Sequence, residues 1–211
     1  NCGFTKNDGG FVYTASPVIY TNEVNKGSII QYNIGLYGYG IGTTPYFEGI
    51  YADESSGGIT IKSNTFGNTT GRGIYNHDAN NMVVRDNTIF KTATDAIYNN
   101  IDNRGTTIKK NIVYQTGSAR FGSDFLPKGS ALIDSNTYVN HSAPASQFNY
   151  VYKSWNGASY TTFDRYWTLT QWRDSLNHDI NSTYDNSALT IGHTERLIVN
   201  PNETKTYYIN A

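Results

Sequence analysis

Three short segments of this chain end in groups that exchange protons or hold polar ligands, and they recur in step. Gly49-Ile50-Tyr51, Gly73-Ile74-Tyr75 and Ala96-Ile97-Tyr98 follow one another at intervals of 24 and 23 residues. Counting on from each puts Asp53, His77 and Asn100 at one equivalent position and Glu54, Asp78 and Ile101 at the next. If the isoleucines face inward, strand alternation turns the tyrosines outward, and then Asp53, His77 and Asn100 outward again. A carboxylate would stand beside an imidazole on the neighbouring strand, about 5 Å away between backbones. Groups so placed do general acid and base work, because each splits the other's pKa. Asp53, Glu54, His77 and Asp78 are therefore the candidate catalytic residues. Cleaving a glycosidic bond takes two carboxyl groups about 5 Å apart with retention, or roughly 6.5–9.5 Å with inversion. Asp53 or Glu54 paired with Asp78 fits either range. The plainer reading is that Asp and Asn close turns and that an Asp–His pair steadies a sheet face.

Two further sets of residues would hold a ligand rather than transform it. Tyr51, Tyr75 and Tyr98 form an aromatic row whose faces suit the C–H faces of sugars. A Gly/Tyr-rich stretch from Leu36 to Tyr46, carrying Tyr37 and Tyr39, inserts about seven residues relative to the other intervals and would form a wall beside that row. Lys62, Arg85 and Lys109, followed by Asp134, make a separate charged row. Stacked like charges repel, so the row needs an anion or neighbouring acids unless water screens it. Neutral or weakly acidic glycans should prefer the tyrosine face, since exposed cations are screened over about 8 Å at physiological salt.

These rows exist only if a repeat positions them, and one does. Ser28-x-Ile30-x-x-Asn33 recurs from Ile59, Met82, Thr106 and Ala131, with Asn33, Asn64, Asn87, Asn111 and Asn136 at intervals of 31, 23, 24 and 25 residues. Apolar positions alternate within each copy, as in a strand with one face inward. A strand, a turn and another strand fit in 24 residues, whereas a crossover helix does not. Each copy must then stack on the last about 4.8 Å further along. The fold expected is all-β: a right-handed parallel β-helix, or solenoid, with an irregular C-terminal cap. Asn tolerates the left-handed backbone of a sharp corner, and stacked Asn side chains satisfy the polar groups there. Ile61, Val84, Ile108 and Ile133 should stack inside the asparagine ladder, with Phe66, Ile89, Val113 and Tyr138 as its neighbour.

Gly-Ile-Tyr followed by polar residues, then Ile59-Thr60-Ile61-Lys62-Ser63-Asn64-Thr65-Phe66, resembles the right-handed parallel β-helix family of secreted bacterial proteins over about residues 9–140. The resemblance implies a carbohydrate-active protein of the glycoside hydrolase or polysaccharide lyase type, with a polysaccharide or oligosaccharide as partner and a secreted, extracellular or cell-surface location. In the lyases of that family Lys and Arg abstract a proton and neutralise a uronate, sometimes with Ca²⁺; no other cofactor and no protein metal site is implied. A non-catalytic glycan-binding or adhesin module is the alternative, because one solenoid hosts many functions.

Composition agrees with this class. Of 211 residues 37% are hydrophobic, enough for one core, and 20 Gly and 18 Tyr favour strands and turns over helices. A net charge of −1 offers no basic field for nucleic acid, and no apolar run of about 18 residues provides for membrane insertion. Cys2 has no internal disulfide partner, and the start at Asn1 reads as cut from something longer. Triplets at Asn68, Asn140, Asn181 and Asn202 are of the kind an Asn- and Thr-rich chain forms by chance. There is no Cys/His zinc spacing, phosphate loop or Gly-x-Ser-x-Gly. Residues 1–140 are expected to form the coils and 141–211 an aromatic cap. Within the cap, Thr170–Leu176 reads as a short helix opened by a Thr. Arg196–Asn200 and Thr206–Ile209 read as two strands that start a β-sandwich.

Overall fold

The computed structural model describes residues 8–15, 25–43, 45–100, 104–114, 121–124, 131–139, 148–155, 160–185, 195–200 and 203–209. Cys2, Thr44, Ile101, Asn140, Pro201 and Asn202 lie outside them. Each coil holds three strands rather than the two expected, because a bend of only two residues suffices to join strands at the asparagine corner. Coil one is β1 (Gly9–Thr14), β2 (Ile29–Gln31) and β3 (Ile34–Gly38); coil two is β4 (Phe47–Ala52), β5 (Thr60–Lys62) and β6 (Thr65–Thr69). β7 (Ile74–His77), β8 (Val83–Arg85) and β9 (Thr88–Thr92) make coil three, and β10 (Ile97–Asn100), β11 (Thr107–Lys109) and β12 (Ile112–Tyr114) make coil four. β13 (Phe121–Asp124), β14 (Leu132–Asp134) and β15 (Thr137–Val139) form the fifth. Then come β16 (Phe148–Trp155), β17 (Tyr160–Trp167), α1 (Leu169–Leu176), β18 (Thr183–Asp185), β19 (Glu195–Asn200) and β20 (Glu203–Ile209).

The strands assemble into three parallel sheets that run the length of the solenoid. The first has the order β1-β4-β7-β10-β13-β16-β17, the second β14-β11-β8-β5-β2, and the third β18-β15-β12-β9-β6-β3. Parallel stacking runs past residue 140, since β16 pairs with β13 and β18 with β15 in the same sense. β17 then turns back antiparallel on β16, and β19 pairs antiparallel with β20 as a separate two-stranded sheet.

Three apolar stacks fill the interior, one per sheet. Ile50, Ile74 and Ile97 come from the first; Ile61, Val84, Ile108 and Ile133 from the second; Phe66, Ile89, Val113 and Tyr138 from the third, all buried. Each such side chain contributes roughly 1.5–3 kcal/mol. Gly49 is required by close approach: a Cβ there would lie 2.3 Å from the carbonyl oxygen of Gly73 in the next coil.

The asparagine ladder forms as expected. Asn64 Nδ2 donates to Asn87 Oδ1 at 3.0 Å, Asn87 to Asn111 at 3.0 Å, and Asn111 to Asn136 at 3.0 Å, while Asn33 donates to Asn64 at 2.9 Å. The left-handed residue at the corner, however, is the one before each asparagine: Tyr32, Ser63, Asp86, Lys110 and Ser135 all have φ between +54° and +59°. The asparagine side chains bond both the backbone and the next coil.

At the C-terminal end the ladder closes on Asp179, a fully buried carboxylate. It accepts from Asn136 Nδ2 at 3.0 Å, Tyr138 OH at 3.1 Å, Trp172 Nε1 at 3.0 Å, and the Ser182 hydroxyl. Trp172 lies on Phe148, with ring centroids 5.6 Å apart, and so covers the apolar cross-section. The helix that carries it starts earlier than expected: Thr168, not Thr170, caps it, in a capping box with Gln171.

Candidate functional site

The outward face of the first sheet brings the candidate residues together by register alone. Tyr13 pairs with Tyr51, Tyr51 with Tyr75, and Tyr75 with Tyr98; Asn100 pairs with His77. Tyr13 was not legible as part of the row because Phe11-Val12-Tyr13 has neither the small first residue nor the isoleucine of the other copies. Asp53 is the centre of the polar group. Its Oδ1 lies 2.8 Å from His77 Nδ1 and accepts from the Glu54 amide at 2.9 Å, and its Oδ2 accepts from Tyr13 OH at 2.7 Å. Burial acts to raise the Asp53 pKa, but hydrogen bonds from Tyr13, the Glu54 amide, His77 and Tyr51 outweigh it and hold the carboxyl below its usual range. The Tyr13 hydroxyl is pushed up to about 12, first by its hydrogen bond to Asp53 and then by burial.

The ionised Asp53 carboxylate only accepts a hydrogen bond, so the His77 Nδ1 that faces it carries the hydrogen, and in that tautomer Nε2 presents its lone pair. Among the described residues nothing bonds Nε2. The imidazole also stacks on Tyr75, with centroids 5.4 Å apart and planes 19° from parallel. Glu54 is exposed on the following turn, and Asp78 is half-buried with a left-handed backbone, φ 50°. The dyad is thus Asp53–His77, with Glu54 and Asp78 flanking it.

The tyrosines point to this face yet mostly cover one another. Tyr51 and Tyr75 stack 4.8 Å apart and are 4% and 8% exposed. Tyr98 is half-buried and Tyr13 is 44% exposed, so the two ends of the row are the rings that reach solvent. Burial is also the first cause that raises the Tyr51 and Tyr75 hydroxyl pKa values.

Arg72 completes the cover. Its guanidinium lies 4.3 Å from the Tyr75 ring centre and 4.6 Å from that of Tyr98. Glu48 on the coil before and Asp95 on the coil after flank it at 3.0 and 3.5 Å. Burial raises the Glu48 pKa against the pull of Arg72, and raises that of Asp95 to about 6. Sequence reading missed this row although the signal was adjacent: Glu48, Arg72 and Asp95 each precede the Gly or Ala of the repeated triplet, with alternating sign.

The inserted segment lies between Gly38, which pairs with Thr69, and Phe47, whose carbonyl accepts from the Gly71 amide. Tyr37 therefore belongs to β3 in the third sheet, and Tyr37 and Tyr39 are exposed there, apart from the tyrosine row. Tyr46, at the end of the insertion, is the ring that approaches the site, 5.9 Å from Arg72. Lys62, Arg85 and Lys109 are in register on the second sheet, a different face, with Gln31 before and Asp134 after them. Arg85 pairs with its neighbour Asp86. Among the described residues no cluster of three His, Cys, Asp or Glu could hold a metal ion, and no helix is long and apolar enough to cross a membrane.

A family model described as a right-handed beta helix region matches residues 1–165. The chain belongs to the right-handed β-helix family. That family includes enzymes that act on polysaccharides together with other proteins. No curated protein and no solved structure matches this β-helix.

Proposed function

We propose that this β-helix is a secreted carbohydrate-active protein, a glycoside hydrolase or polysaccharide lyase, whose glycan lies along the outward face of the first sheet. The 2.8 Å contact between Asp53 and His77 carries the reading. Asp53 fixes the imidazole tautomer and His77 Nε2 takes the proton, which departs from the sequence-based assignment of proton transfer to the carboxylates themselves. In hydrolysis that proton comes from the attacking water, and Glu54 or Asp78 returns one to the leaving oxygen. In elimination it comes from the carbon beside a uronate carboxylate, the C–O bond to the leaving sugar breaks as the double bond forms, and Glu54 or Asp78 protonates the leaving oxygen. Neither step needs a metal from the protein, and Ca²⁺ enters only as a partner of an acidic substrate. Tyr98 and Tyr13 supply ring faces at the two ends of the row.

A non-catalytic glycan-binding module is the second reading. It is favoured by the occupancy of Asp53, whose oxygens already accept hydrogen bonds from the Tyr13 hydroxyl and the Glu54 amide and face His77 Nδ1. Both readings are tested on a panel of neutral and acidic polysaccharides, scoring new reducing ends for hydrolysis and ultraviolet-absorbing unsaturated ends for elimination. His77→Gln should lower turnover at least about a hundredfold with the fold unchanged, and Asp53→Asn by a similar factor. Full activity in a folded His77→Gln variant would sink the dyad. Binding without product from the parent would establish the module.

A further inference from the structure

An inward row of the first sheet runs through Thr14, Ala52, Asn76 and Asn99, one residue from each successive coil in register. Each follows an outward tyrosine, so strand alternation turns it into the solenoid. Ala52, Asn76 and Asn99 are fully buried. Asn76 Nδ2 donates to Asn99 Oδ1 at 2.7 Å. An amide carries its oxygen and its nitrogen on opposite sides, so with Nδ2 turned to the fourth coil Asn76 Oδ1 is turned back to the second. In that layer the row holds Ala52, whose side chain has nothing to donate.

Two hydroxyls flank the same layer. Thr14 lies on the far side of Ala52, and Ser56 follows Ala52 in the same coil, held near the strand end by its amide, which donates to Asp53 O at 3.1 Å. Thr14 Oγ1, Ser56 Oγ and Asn76 Oδ1 are all buried, and no protein group bonds any of them. A buried amide oxygen without a donor is costly. An asparagine in place of Ala52 would supply the donor, but alanine is shorter by the whole carboxamide, roughly the bulk of one water. Thr14 and Asn76 stand two layers apart, about 9.6 Å between backbones, so what joins them must sit in the layer of Ala52.

We infer that the solenoid holds an internal water in the layer of Ala52, donating to Asn76 Oδ1 and sharing its other bonds with Ser56 Oγ and Thr14 Oγ1. About three polar partners are what an ordered buried water takes. A cation fits less well, because the three oxygens are neutral and no residue of the row is a carboxylate that would balance its charge. The inference needs nothing from the carbohydrate reading. Ala52 and Asn76 immediately precede Asp53 and His77, so the water lies on the inner side of the strands that carry the dyad.

The test is a crystal structure of the full chain at a resolution that shows ordered water, with two variants compared by urea denaturation. Density about 2.6–3.2 Å from Asn76 Oδ1, in the layer of Ala52, is expected. Ala52→Asn brings the donor on the chain itself, so that density should vanish and the urea midpoint should stay at or above the parent's. Ala52→Leu has nearly the shape of asparagine but no donor. It expels the water, leaves Asn76 Oδ1 unpaired, and should lower the folding equilibrium constant at least about tenfold. A parent with no density at that position overturns the inference. Density with contacts of about 2.3–2.6 Å marks a cation and overturns the assignment to water. A leucine variant at least as stable as the parent shows a dry, apolar layer and overturns it too. If neither variant folds, the parent's density decides, and Ala52→Ser, which adds a single hydroxyl, should displace it.

Discussion

Asn87→Ala should cost about 2–6 kcal/mol, and the chemically identical Asn33→Ala less than about 1. Asn87 Oδ1 accepts from the Asn64 backbone N–H and from Asn64 Nδ2, both at 3.0 Å, and its own Nδ2 donates to Ile61 O and Asn111 Oδ1, both at 3.0 Å. Alanine leaves the Asn64 N–H buried without that acceptor, which costs about 1–3 kcal/mol, and removes the two bonds from Nδ2, worth about 0.5–1.5 kcal/mol each. Asn64 Nδ2 loses less, because it also donates to Ile30 O and Lys62 O. Asn33 is exposed, and its loss leaves Asn64 Oδ1 the Asn33 amide as donor. Urea denaturation followed by far-UV circular dichroism measures both, with an unchanged slope as the condition for comparing midpoints. Equal losses for the two variants, or a loss below about 0.5 kcal/mol for Asn87→Ala, would refute the view that burial makes the ladder stabilising.

Two pH effects of opposite sign follow from buried groups. Burial against Trp172 lowers the His178 pKa from 6.5 to about 4, so the unfolded chain binds a proton that the folded chain refuses. The parent should lose on the order of 3 kcal/mol relative to His178→Gln as pH falls from 6.5 toward 4, read as the difference in urea midpoint between the two proteins. Burial raises the Asp95 pKa from 3.8 to about 6, so the folded state favours the protonated acid. Its stabilisation is full below about pH 4 and is lost as pH rises through 6, and Asp95→Asn should remove that slope, again on the order of 3 kcal/mol. A parent and an Asp95→Asn variant with parallel pH profiles would show that Asp95 is not the group responsible.

Much of the scaffold was written in the residue order, for a simple reason. In a solenoid, equivalent positions one coil apart sit one strand spacing apart, so the interval between like residues in sequence is also a contact in space. The asparagine ladder, the Ile61/Val84/Ile108/Ile133 stack and the adjacency of Asp53 to His77 all follow from that interval. What the interval does not carry is how far each side chain reaches, and what covers it. Tyr51 and Tyr75 were expected to lie open and are buried, because the stack above and below them and the Arg72 guanidinium occupy their faces. Arg72 is held there by Glu48 and Asp95 from the two adjoining coils, an ion row whose energetics depend on three-dimensional burial. The left-handed corner residue proved to be the neighbour of each asparagine, since an asparagine in that conformation would not also turn its amide along the solenoid axis. Asp179 closes the ladder from 43 residues beyond Asn136 in a segment with no repeat. Only the folded chain could decide that carboxylate's role, because it is defined by the four donors that converge on it and not by its place in any period.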